Sequence, residues 1–153
     1  MSRLVKPWLA AFDWEIVTEI NRGLCKQKSA LHKPTSDGHL PAKTLWEKNQ
    51  SKELTLTEAL EICLKCHRLA PFCFYNGNTF AAIARDFITD LSPKLAADKA
   101  HILRSIAGHI VAGTATDIER KQLDSILAAA EKLPVDERCG LKSSRRSYVV
   151  AKK

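Results

Sequence analysis

Methionine occurs once in this chain, at position 1, tyrosine twice, and glycine and proline six times each. So little Gly and Pro excludes a collagen-like or low-complexity chain. There is no Gly-rich phosphate loop, no G-x-S-x-G elbow and no H-E-x-x-H pair. Their absence removes common templates for nucleotide binding, acyl transfer and zinc proteolysis. Every apolar run is cut by a charge or a proline well short of the roughly eighteen residues that cross a bilayer, so no membrane segment is expected. The apolar stretch at residues 8–12 is too short for the core of a secretory leader. The cysteines (Cys25, Cys63, Cys66, Cys73, Cys139) are odd in number and accompany no export signal. Reduced thiols and a cytoplasmic location follow as expectations.

The chain has 153 residues, of which 45% are hydrophobic and 27% charged, enough for one domain with a real core. Its apolar residues recur at three- and four-residue spacing and nowhere alternate with period two, so the expected fold is all-α. A first helix opens at Pro7, buries Leu9, Phe12, Ile16 and Ile20, and stops at Gly23. Residues 23–52 follow as a long irregular insert, interrupted by a short helix near Thr44 to Asn49. Thr55 with Glu58, and Thr116 with Glu119, have the spacing of capping boxes. Asn78 reads as the cap of a helix whose inner face carries Phe80, Ile83, Phe87 and Leu91. Ser92-Pro93 restarts the chain into a helix that ends at Gly113. The whole predicts an antiparallel helical bundle of about four to five helices spanning residues 1–137, followed by a flexible basic tail at 138–153.

Two cysteine patterns carry metal chemistry on paper. Cys63-Leu64-Lys65-Cys66-His67 has the C-x-x-C-H spacing of covalent haem attachment. Adding Cys73 gives C-x2-C-x6-C, with His67 or a distant Cys or His as fourth ligand for zinc or iron-sulfur. Tetrahedral sites commonly present two close pairs on turns, whereas here a single pair lies in an expected helix. Core packing is therefore the expectation, with no cofactor, and Cys63, Cys66, His67 and Cys73 stand as the alternative metal ligands.

Arg104 and His109, in the run RSIAGH, are five residues apart. This R-x4-H spacing resembles that of the HEPN ribonucleases, which are also small helical bundles. The resemblance implies a dimeric site in which the His activates the ribose 2'-hydroxyl or protonates the leaving oxygen while the Arg stabilises the phosphate. It covers six residues. Val111 stands where the toxin branch of that family has Tyr, and Ser105 stands where Asn or a similar polar residue often follows the Arg.

Charge is unevenly distributed. Residues 138–153 hold six Lys or Arg and no acid, residues 54–137 hold nine basic and eleven acidic side chains, and residues 1–53 hold nine and six. The core is near neutral and the ends are basic, a pattern that suits phosphate neutralisation by counterion release. Candidate nucleic-acid contacts are Arg22, Lys26, Lys28 and Lys33 in the insert, with Arg138, Lys142, Arg145, Arg146, Tyr148, Lys152 and Lys153 in the tail. The apolar run Pro71 to Tyr75, at a helix junction, is expected in the core, while an exposed Tyr75 beside Asn76 and Asn78 would have the chemistry to stack on an unpaired base or anchor a partner protein. The expected function is a non-enzymatic nucleic-acid-binding subunit or adaptor of a larger nucleoprotein complex, RNA ahead of DNA, with protein partners and possible oligomers. The alternatives are a ribonuclease using Arg104 and His109, or a pure protein interaction module.

Overall fold

Side chains at the helix starts define much of the architecture. In the computed structural model, which describes residues 4–131, the helices are α1 (Trp14–Gln27), α2 (His39–Asn49), α3 (Leu56–Leu69), α4 (Asn76–Leu91), α5 (Ala97–Ala112) and α6 (Asp117–Ala130). Thr55 and Thr116 accept from the backbone N–H of Glu58 and Glu119, and each Glu returns a bond to its cap, so both expected capping boxes form. Short 3-10 turns at Trp8–Ala11 and Ser92–Lys94 precede α1 and α5. Gly113, at φ +81°, closes α5 in the left-handed region. Among the described residues the fold is an all-α bundle without strands, and no helix is long and apolar enough to cross a membrane.

Two boundaries differ from the sequence pattern. The first helix begins at Trp14, not Pro7, because the Asp13 carboxylate accepts from Ile16 N at 2.9 Å and caps it there. It then continues past Gly23, where no other group crowds the backbone, to Gln27. Its buried positions are Trp14, Val17, Asn21 and Cys25, with Ile16 and Ile20 only half-buried. The irregular insert accordingly shrinks: residues 23–27 belong to α1, and α2 occupies 39–49. The α4 start also moves, to Asn76, since the Asn76 side chain pairs with both backbone groups of Phe72 at 2.9 and 2.7 Å.

Helices α3, α4 and α5 form the centre, with α2 on α3, α1 on α4 and α6 on α5. Trp46, Phe72, Phe80 and Phe87 are fully buried between them. The rings of Trp8 and Phe12 meet Phe87 edge-on at 5.5 and 5.7 Å. Trp46 Nε1 donates to Phe12 O at 2.6 Å, so the largest core side chain buries no unpaired donor and ties α2 to the chain entering α1. Two short backbone pairings pin the connections. Lys6 exchanges bonds with Leu54, and residues 33–35 run against 71–73, with Cys73 N on Lys33 O at 3.0 Å and Thr35 N on Pro71 O at 2.9 Å.

Candidate functional site

Positions 101, 104, 105, 108 and 109 recur at helical spacing along α5, away from its buried stripe of Leu103, Ile106, Ala107 and Ile110. His101, Arg104, Ser105, Gly108 and His109 line an open cleft of about 450 Å³, and α4 adds Arg85 from the other side. The Arg85 guanidinium lies against α5 at Gly108, its Nη2 3.8 Å from where a Cβ would stand, an ordinary contact distance. Arg104 Nη2 contacts Thr89 Oγ1 at 3.4 Å, an α4 hydroxyl that itself donates to Arg85 O at 3.3 Å. Among the described residues neither Arg85 nor Arg104 takes part in an ion pair. Two guanidinium forks, two imidazoles and a hydroxyl with no carboxylate in the lining have the chemistry to receive an oxyanion, since planar forks can match its oxygens bidentately.

His109 is held from outside the cleft. Its Nδ1 lies 2.6 Å from Glu119 Oε2 on α6, and Glu119 Oε1 accepts from Thr116 N at 3.1 Å. The bond from the Thr116 backbone and then the His109 contact hold the Glu119 carboxyl below its ordinary range. A carboxylate can only accept, so Nδ1 carries the proton and Nε2 is the other ring nitrogen left for chemistry. One Glu thus caps α6 and orients an imidazole on α5.

The R-x4-H pair therefore sits in one cleft, Arg104 half-buried and His109 exposed. Sequence reasoning missed Arg85 and His101 and read Glu119 as a cap alone. Only the packing of α4 on α5 brings Arg85 to the cleft, and no spacing within one helix signals it.

The structure does not bring the alternative metal set together. Cys63 and Cys66 are buried in the core, where burial pushes the Cys63 thiol well up and that of Cys66 up to about 12. Burial thus disfavours the thiolate form that metals need. Cys66 Sγ faces Ala42 O at 3.7 Å, His67 Nδ1 donates to Val111 O at 2.8 Å, and Cys73 is exposed on the loop before α4. Among the described residues no three His, Cys, Asp or Glu come together as a metal-binding group. The C-x-x-C-H match lies on little more than one turn of α3, with both thiols in the core and His67 bonded to the Val111 carbonyl.

Of the expected nucleic-acid contacts, Arg22 and Lys26 are exposed on α1 and Lys28 and Lys33 on the segment that follows it. Arg22 Nε pairs with Glu19 at 3.1 Å, both side chains about half exposed. The tail residues Arg138 to Lys153, including Arg145, Arg146 and Tyr148, lie outside the described residues. No family model matches the chain, and no curated protein or solved structure is significantly similar to it.

Proposed function

We propose that the chain is a non-enzymatic nucleic-acid-binding protein, RNA ahead of DNA, that takes the phosphodiester backbone in the cleft of Arg85, His101, Arg104, Ser105, Gly108 and His109. The observation that supports it is the composition of that lining: two arginines that take part in no ion pair among the described residues, each placed by α4–α5 packing, and no carboxylate among the lining side chains. Clustered guanidiniums on a folded body repel one another, and a bound polyanion relieves that repulsion while releasing its counterions. The basic tail adds further sequence-independent attraction.

Fluorescence anisotropy with a single-stranded RNA and the matching DNA, across a salt series, tests the reading. The double variant Arg85→Ala/Arg104→Ala is expected to weaken binding about tenfold or more, and to flatten the slope of log affinity against log salt by roughly 1.4, two contacts at about 0.7 each. Equal affinity and slope in wild type and variant would remove the cleft from the account.

A second reading, a ribonuclease, is favoured by one observation: His109 is oriented by Glu119 in the cleft that Arg104 lines. An imidazole with one nitrogen fixed and the other available is the arrangement of a general acid or base. The same RNA incubated with wild type is expected to remain intact. Cleavage that disappears in both Arg104→Ala and His109→Ala would replace the binding protein with an enzyme.

A further inference from the structure

A second run of cations, remote in sequence from the α5 cleft, lies in segments that pack beside a pair of aromatic residues. From residue 20 to 36 the charged side chains are Arg22, Lys26, Lys28 and Lys33, with no Asp or Glu, and from 70 to 78 there is no charge at all. The fold brings these two stretches together. Cys73 N donates to Lys33 O, and Asn21, fully buried on α1, donates from Nδ2 to Phe74 O at 2.8 Å and to Thr79 Oγ1 at 3.0 Å. Asn21 Oδ1 in turn accepts from His32 Nδ1 at 2.8 Å, and the His32 ring stacks on Phe72 at 5.7 Å. A buried amide therefore joins α1, the segment before α2 and the loop before α4 into one surface.

Phe74 stands on that surface 48% exposed, beside the half-buried Tyr75, whose ring centroid is 6.4 Å from that of Phe74. Tyr75 has φ +62°, a left-handed conformation that a bulky side chain adopts only when its surroundings impose it. Two adjacent aromatic rings on a surface whose neighbouring segments carry Arg22, Lys26, Lys28 and Lys33 suit an anion that carries flat apolar groups. Glu19, paired with Arg22, is the acid at the edge of this region.

We propose that Phe74 and Tyr75 form a stacking platform for unpaired bases of a single-stranded nucleic acid, with Arg22 and Lys33 beside them as phosphate contacts. The inference rests on the nucleic-acid reading above and deepens it: the α5 cleft takes backbone, whereas this surface takes bases and so prefers single strands to duplex. Stacking is indifferent to base identity because every base has a π face.

The test compares three oligonucleotides of one length, a base-bearing single strand, an abasic single strand and a duplex, on the full chain. Phe74→Ala, at an exposed position, is expected to weaken the base-bearing strand about tenfold while leaving abasic affinity and the thermal melt unchanged. Phe74→Trp is expected to retain affinity, with its added fluorescence quenched by the base-bearing strand and not by the abasic one. Arg85→Ala/Arg104→Ala should weaken both single strands alike. If Phe74→Ala binds the base-bearing strand as wild type does, the platform is wrong and the surface covers a protein instead, while the cleft stands. If wild type binds none of the three, both readings fall together.

Discussion

Asp86 lies half-buried on α4, one residue past Arg85. Burial, and then the Asp90 carboxylate one turn on, push its pKa from 3.8 to about 6. Between those values the folded chain holds a proton that the unfolded chain has released. Stability therefore falls as pH rises through that window, and the loss is complete above it. Solvent reaches the group and screens it, so the cost at neutral pH is on the order of 1 kcal/mol, not the full shift. Asp86→Asn is expected to raise unfolding free energy by about that amount at pH 7 and by much less at pH 4, measured by urea denaturation at the two pH values. An equal effect at both would mean that ionisation is not the cause.

At the scale of elements, α2 docks through a backbone contact at its first turn. Gly38 precedes α2 at φ −98°, an ordinary conformation, so the glycine is required by proximity and not by dihedral freedom. A Cβ there would stand 1.8 Å from Leu69 O and 2.5 Å from Ala70 O, both backbone atoms at the end of α3. Those carbonyls cannot swing aside, because Ala70 O also accepts from Thr35 Oγ1 and the chain turns there through a left-handed residue. Gly38→Ala is expected to cost on the order of 3 kcal/mol, read as a lowered midpoint in thermal or urea unfolding. Gly23→Ala, on an open face of α1, is expected to stabilise by several tenths of a kcal/mol, so the pair separates close approach from helix propensity.

For the whole molecule, the charge distribution carries a prediction independent of the cleft. Six uncompensated cations in residues 138–153 account for most of the net +7. Deleting 138–153 is expected to leave the thermal midpoint of the bundle within about 2 °C, because its core lies within residues 4–131. The deletion should also flatten the salt dependence of RNA binding by roughly three to four log units per log unit, six contacts at about 0.7 each being the ceiling. Unchanged binding and slope would make the tail merely solubilising. Loss of the bundle's cooperative unfolding would make it part of the fold.

What the amino-acid order determined by itself is what local chemistry decides. The capping boxes at Thr55 and Thr116, the stop at Gly113 and the Phe80–Ile83–Phe87–Leu91 stripe form from groups within a few residues of one another. The basic ends are legible for the same reason, since charge is counted along the chain. Tertiary structure decided the remainder. The first helix starts at Trp14 through the local cap of Asp13 on Ile16, and what tertiary structure decides there is that Trp8 and Phe12 pack on Phe87, a partner some seventy-five residues away. Arg85 reaches Arg104 only because α4 lies on α5, and Glu119 reaches His109 only because α6 does. Phe74 is set beside α1 only because the buried amide of Asn21 finds its carbonyl. Sites of this kind join short-range elements over long sequence separations, and no spacing rule within one helix or loop encodes a distance set by core packing.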